Sequence, residues 1–312
     1  MMNKIMLVTG GAGAIGSNLV NRLSADNRVV VLDNLSSGKK TNIRRSPNVA
    51  FIKGDICRDP DLKKAFSCKI THVFHLAAHF ANQNSIDHPE RDLMTNAGGT
   101  LKLLEHSVLG KVRKFVYGST SCVYGNKAAA LNENFLDFKH DTPYSISKLT
   151  GEKYVAFFKD YYGLDACILR YFNVYGPGEM PGAYRNVIPN FFYKAIKGEP
   201  LVITGTGRET RDFTYVDDVI GATIKASESD MTKGMTLNVA SGVETRIIDL
   251  AEKINGITHN KAGIVFSPKR SWDNISRRCA DIEKVKEALG YKVTVGIEEG
   301  LKRTYAWLKR RI

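Results

Sequence analysis

The chain has 312 residues, 43% of them hydrophobic, and a formal net charge of +13. That content can bury a substantial core and excludes disorder, and the length suits one large domain or two closely joined ones. No apolar run reaches the roughly 20 residues of a membrane span, and Met1-Met2-Asn3-Lys4 leads directly into a strand instead of a signal peptide, so a cytoplasmic protein is expected.

In chain order, the apolar segment Ile5-Met6-Leu7-Val8 is followed by Thr9-Gly10-Gly11-Ala12-Gly13-Ala14-Ile15-Gly16 and then by the helical pattern Ile15, Leu19, Val20, Leu23. A strand, a glycine turn and a helix N-terminus in that order make a seat for a diphosphate. Asp33 ends the next apolar run, Val29-Val30-Val31-Leu32, where a carboxylate can accept bonds from both ribose hydroxyls of an adenosine. It would repel a 2′-phosphate, which favours NAD over NADP. Apolar strand candidates recur near 5–9, 29–33, 50–54, 72–77, 113–117 and 165–170, separated by helical periodicity. This alternation predicts an α/β, Rossmann-like doubly wound parallel sheet.

From about Tyr171 the texture becomes loop-rich, with Gly176-Pro177-Gly178 and Met180-Pro181-Gly182 ahead of a helix candidate at 189–197. We read residues 1–170 as the dinucleotide domain and 171–312 as a smaller, partly interleaved α/β substrate lobe, with 214–245 returning to the first unit through Thr236-Leu237-Asn238-Val239-Ala240. The tail places Ile297, Leu301, Tyr305, Leu308 and Ile312 at helical spacing.

The five cysteines lack CxxC spacing and read as reduced, mostly packed thiols. The histidines do not cluster at ligand spacing, and His75, inside Val73-Phe74-His75-Leu76-Ala77, reads as a core or hydrogen-bonded residue. No metal is implied. The basic pairs Lys39-Lys40, Arg44-Arg45 and Arg277-Arg278 and the run Lys309-Arg310-Arg311 are dispersed, so the positive charge reads as a solvated surface and no nucleic-acid or membrane partner is expected.

Catalytic chemistry is concentrated at Tyr144-Ser145-Ile146-Ser147-Lys148, which follows Pro143, a good helix-start residue. Tyr144 and Lys148 fall one turn apart on one face. Lowering a phenol pKa from about 10 to near 7 requires roughly 4 kcal/mol. One positive charge about 4 Å away in an effective dielectric near 20 supplies about that much, so Lys148 is expected to acidify Tyr144.

With these motifs in order, the chain resembles the extended short-chain dehydrogenases/reductases, and among them the nucleotide-sugar 4-epimerases of the UDP-glucose/UDP-galactose 4-epimerase family. The likeness runs over essentially the whole length. Besides the segments above it rests on Leu32-Asp33-Asn34-Leu35-Ser36-Ser37-Gly38, Gly54-Asp55-Ile56, His75-Leu76-Ala77-Ala78, Asn96 and Ser119-Thr120-Ser121-Cys122-Val123-Tyr124-Gly125. Arg170-Tyr171-Phe172-Asn173-Val174-Tyr175-Gly176-Pro177 and Arg211-Asp212-Phe213-Thr214-Tyr215-Val216-Asp217-Asp218 complete it.

The resemblance implies a catalytic set of Thr120, Tyr144 and Lys148. It assigns NAD binding to Gly10, Gly13, Ala14, Ile15, Gly16, Asp33, Asn34, Ser37, Gly38, Asp55 and Ile56, and further to Leu76, Ala77, Ala78, Asn96, Ser119, Tyr144, Lys148 and Tyr171. His79, Thr120, Asn173, Asn186, Val187, Arg211, Arg270 and Asp273 are implied for the nucleotide sugar. Related 4,6-dehydratases carry an Asp-Glu pair after the threonine, and related decarboxylases commonly a glutamate in that segment; here Ser121-Cys122 stands in its place. The implied reaction is oxidation at C4 and re-reduction on the other face, with NAD retained.

One departure is Arg270-Ser271-Trp272-Asp273, where the family usually has an Arg-Pro-Gly-Asp-like turn; Arg277 and Arg278 lie where a gatekeeping side chain usually screens the sugar's C2 group. A homodimer through the helices around 93–107 and 144–162 is also implied. Two alternatives stay open: another sugar-nucleotide enzyme of the same fold (dehydratase, decarboxylase or 2-epimerase), and a catalytically silent NAD-binding regulator.

Overall fold

Seven runs of aliphatic and β-branched residues bounded by turns form strands in one parallel sheet. In the computed structural model, which describes residues 4–126, 130–135, 139–273 and 275–312, these are β1 (Ile5–Thr9), β2 (Arg28–Asp33), β3 (Val49–Lys53), β4 (His72–His75), β5 (Lys114–Thr120), β6 (Ala166–Tyr171) and β7 (Thr236–Val239). Met1 to Asn3 lie outside the described residues. The spatial order is β3-β2-β1-β4-β5-β6-β7, so the winding reverses between β1 and β4. Ligand clefts of open α/β sheets form at such a reversal, beyond the carboxyl ends of the strands.

Side chains alternate across this sheet, and each face has its own core. Leu7, Val73, Phe115 and Tyr117 pack with Leu62, Leu103, Leu104, Val155 and Phe158 on one side. Met6, Val8, Phe74 and Val116 pack with Leu19, Val20, Val219 and Ile220 on the other. That second core runs without a break into the C-terminal lobe through Phe191, Phe192, Leu301 and Leu308. Strand β7 enters from beyond that lobe and pairs in parallel with β6, from Thr236 against Ile168 to Val239 against Tyr171. The two parts of the chain are therefore welded by both sheet and core.

Tertiary structure revises several element ends. The strand expected over 72–77 stops at His75, because Leu76 and Ala77 turn away to line the cleft. The one expected over 113–117 runs on to Thr120, held opposite Tyr171. The helix expected around 93–107 is interrupted: a wide π turn, Met94–Gly98, separates Pro89–Leu93 from Gly99–Leu109. Ile312 lies beyond the last helix, Ile297–Leu308, and is exposed. The thiols are less packed than expected; all five are free but only Cys167 is fully buried. His75 is a buried bridge, with Nδ1 2.8 Å from Thr9 Oγ1 and Nε2 2.8 Å from Thr100 Oγ1.

Candidate active site

Of the residues expected at the site, all but Gly38 and Asn96 line one cleft of about 530 Å³, within the range of about 300–1,000 Å³ usual for organic ligands. Gly38 packs behind the wall instead: a Cβ there would stand 2.5 Å from the carbonyl carbon of Ala12. Asn96 is 1% exposed and holds the wall together. Its Oδ1 accepts from the His79 amide at 2.8 Å, and its Nδ2 donates to Asp92 Oδ1 at 2.8 Å and to Ser147 Oγ at 3.1 Å. These bonds make Asn96 a structural member of the wall, and its Oδ1, which accepts once, keeps a second lone pair.

One end of the cleft is shaped for a dinucleotide. The helix Ala14–Leu23 begins at Gly13 without any side-chain cap, leaving its first amides and positive dipole end to a diphosphate. Gly16 permits that approach, since a Cβ on it would lie 2.1 Å from the Gly10 carbonyl oxygen. Asp33 is buried under the turn and accepts from Ala12 N at 2.9 Å and Leu35 N at 2.7 Å. Each of its oxygens retains a lone pair for a ribose hydroxyl. Beyond it, Asn34 Nδ2 donates to Asp55 at 2.9 Å, joining the two residues expected around the adenosine. The fit to NAD is thus carried by the turn, the bare helix end and a fixed carboxylate.

At the other end, Tyr144, Lys148 and Thr120 converge. Thr142 caps the helix Pro143–Tyr162, with Pro143 in its first turn, so Tyr144 enters the cleft from a rigid first turn. Thr120 is the last residue of β5; its Oγ1 accepts from Cys122 N at 3.2 Å and stands close enough to Tyr144 to pull the phenol's pKa down. Lys148 Nζ donates to Gly118 O at 2.7 Å and lies 4.1 Å from the centre of the Tyr117 ring.

Burial dominates the electrostatics here. It pulls Lys148 down to about 7 against the attraction of Glu152 and Asp92. It pushes Tyr144 well above the ordinary phenol range, with Cys122 and Asp92 adding to the rise and Thr120 opposing it. Burial is thus the largest influence on the Tyr144 phenol in the protein alone, and it acts against the phenolate. Asp92, fully buried and bonded by Ser147 Oγ at 2.5 Å, is raised to about 6, first by burial.

The substrate half of the cleft is built by loops. Arg211 Nη2 donates to Asp273 Oδ1 at 3.1 Å, while its Nη1 bonds the Thr210 and Ile275 carbonyls, which fixes the guanidinium plane. Asn173 Nδ2 donates to Asp212 O, and Asn186 is tied to Glu179 through its amide and side chain. Arg270 lies 5.6 Å from the Trp272 ring. Arg277 turns outward to Glu244, whereas Arg278 is buried and donates to the Gly125 carbonyl.

Residue patterns missed the contacts that close the cleft across the two lobes. Arg185 Nη2 donates to Ser37 O at 2.6 Å, Tyr184 OH to Asp87 at 2.9 Å, and Trp272 Nε1 to Gln83 Oε1 at 2.7 Å. The partners are distant in sequence, so no local spacing announces them. Among the described residues no group of three His, Cys, Asp or Glu could hold a metal ion, and no helix is long and apolar enough to cross a membrane.

This geometry agrees with comparisons to known proteins. The family model described as the NAD dependent epimerase/dehydratase family matches residues 6–240. UDP-glucose 4-epimerase of Mycolicibacterium smegmatis is 35% identical over 311 residues, covering 98% of both chains. UDP-N-acetyl-α-D-glucosaminuronate decarboxylase of Bacillus cytotoxicus is 33% identical over 320 residues, covering 99% of this chain and 98% of its own length. A solved epimerase from Methanothermobacter thermautotrophicus superposes with a TM-score of 0.98 at 45% identity, covering 99% of this chain and 93% of that one. Turn, paired tyrosine and lysine, and likeness along nearly the full length lead to one conclusion: the chain is an enzyme of the NAD-dependent epimerase/dehydratase family, an extended short-chain dehydrogenase/reductase acting on nucleotide sugars.

Proposed function

We propose that the protein is a nucleotide-sugar 4-epimerase of the UDP-glucose/UDP-galactose type. The observation that carries this reading is the company Thr120 and Tyr144 keep. Cys122 and Ser121 stand beside them, whereas the carboxylates on the cleft wall are engaged elsewhere. Asp33 and Asp55 lie at the adenosine end, Glu179 holds Asn186, Glu209 is bonded by Thr206, and Asp273 pairs with Arg211. Elimination of water across C5 and C6 needs an acid and a base at the sugar. Two hydroxyls and a lysine suffice to move the proton of one carbinol, while bound NAD would take and return its hydride.

In this reading Tyr144 takes the O4 proton on one pass and returns it on the other, with Thr120 bonding O4 and the phenol to keep both aligned. Lys148 and the turn at 10–16 hold the dinucleotide. Bound NAD supplies a hydride acceptor and donor, and in its oxidised form a positive charge that favours the phenolate. Arg211 and Arg270 grip the diphosphate with planar donor forks, Asp273 takes the nucleotide ribose, and Asn173, Asn186, Val187 and His79 frame the rest. The 4-keto sugar turns about its diphosphate link between passes.

The same reading pairs two copies through the helices at 99–109 and 143–162 and the turn before the first. Leu93, Met94, Ile146, Phe157 and Tyr161 are all more than half exposed along those elements, and Phe157 stacks on Tyr161 at 5.4 Å.

The test is incubation with UDP-glucose, UDP-galactose and their N-acetylated and uronic analogues, with products resolved by NMR. A C4-inverted sugar is expected. Release of carbon dioxide or a 6-deoxy-4-keto product would overturn the proposal.

A further inference from the structure

Residues 176–186 lie across the dinucleotide domain as a strap from the substrate lobe. Asn18 Nδ2 donates to the Pro177 carbonyl at 2.7 Å and Asn42 Nδ2 to the Gly178 carbonyl at 3.1 Å, while a Cβ on Gly178 would stand 3.0 Å from the Ala14 carbonyl oxygen. The strap therefore rests on the first turn of the helix that begins at Gly13, where the diphosphate seat is. Within it the buried Glu179 carboxylate accepts from the Asn186 amide and side chain, both at 3.2 Å, which closes the loop and fixes where Arg185 emerges.

Arg185 is the charged end of this strap. Its Nη2 donates to the Ser37 carbonyl at 2.6 Å, and among the described residues the side chain makes no other hydrogen bond. Most donors of the guanidinium are thus idle on a residue that lines the cleft. Ser37 is followed by Gly38, on which a Cβ would meet the Gly13 amide nitrogen at 2.8 Å. The cation is therefore anchored beside the diphosphate seat, yet it comes from the other lobe. The substrate half has its own arginines, Arg211 and Arg270.

We infer that Arg185 is a cofactor-retaining residue: anchored on the Ser37 carbonyl, it pairs from the substrate lobe with the diphosphate of NAD and keeps the dinucleotide bound between turnovers. A planar fork permits this, because one edge can hold a carbonyl while another meets a phosphate oxygen. Release of the dinucleotide then requires the strap to give up its cation. The inference rests on the NAD dependence of the family and not on the sugar, so failure of the 4-epimerase reading leaves it to be judged by cofactor release.

The test is release of NAD from the holoenzyme. Protein loaded with adenine-labelled NAD is chased with excess unlabelled NAD and sampled by rapid gel filtration, in wild type, Arg185→Met, Arg185→Lys and Asn42→Ala, with calorimetric titration of UDP in parallel. Arg185→Met is expected to release label about tenfold faster than wild type, the low end for a hydrogen bond to a charged group because the site is partly exposed. Arg185→Lys keeps the charge without the fork and is expected at about threefold. Asn42→Ala removes a neutral bond to the strap and is expected near the wild-type rate, and UDP affinity is expected to hold throughout. A wild-type release rate in either Arg185 variant overturns the inference. So does release from Asn42→Ala as fast as from Arg185→Met, which would make the fit of the loop the cause. Weaker UDP binding without faster NAD release also overturns it, since the substrate's diphosphate would then be the anion. If Arg185→Met does not melt cooperatively, Arg185→Lys decides.

Discussion

Tyr144 illustrates how a residue's environment can oppose its task. Burial holds the phenol protonated, and Lys148, drawn to about 7, spends its hydrogen bond on Gly118 O. Tyr144→Phe removes the proton carrier and leaves the packing almost untouched. It should lower kcat by about 10²–10⁴-fold, with the NAD content of the denatured protein unchanged by absorbance. A retained kcat would show that another group moves the proton. Nothing in the local sequence discloses Asp92 as a neighbour of this pair, because its link passes through Ser147 and Asn96 on separate segments.

Among the elements, the glycine turn and its helix form the proposed seat of the cofactor. Ser17 N reaches back to the Gly13 carbonyl and begins the helix, while Gly13 N bonds Gly10 O to close the turn. Any side chain at Gly16 would enter that closed ring, because the nearest atoms are backbone and cannot swing aside. Gly16→Ala should therefore yield protein that retains little or no NAD after purification and melts several degrees lower. Absorbance of the released nucleotide and a thermal melt check this. Full NAD content in the variant would mean that the turn can shift without loss. The π turn at 94–98 belongs to the same scale: it widens the helix where Asn96 must reach His79, Asp92 and Ser147 at once. The pair Gly98-Gly99 marks a weak point in that segment, but residue spacing does not distinguish a π turn from a regular helix there.

For the whole molecule, the exposed apolar stripe on the helices flanking β5 and β6 has the character of a covered surface. Tyr161 is 73% exposed and packed only against its own helix neighbours Phe157 and Tyr162 among the ring contacts. A double change, Phe157→Glu with Tyr161→Glu, should leave a folded monomer, read by light scattering against a wild-type dimer. A wild type of monomer mass would refute the pairing.

The sheet, the dinucleotide turn, Asp33 and the tyrosine-lysine spacing could be read from the sequence alone, because each depends on contacts within one strand, one turn or one helix. Only tertiary structure decided that Asn96 and Gly38 do not line the cleft and that Tyr144 and Lys148 are both buried. It alone set Arg278, adjacent in sequence to the outward-facing Arg277, as an enclosed charge. Those outcomes depend on which distant segments meet and how much water they exclude, and neither quantity is written in the spacing of residues along the chain.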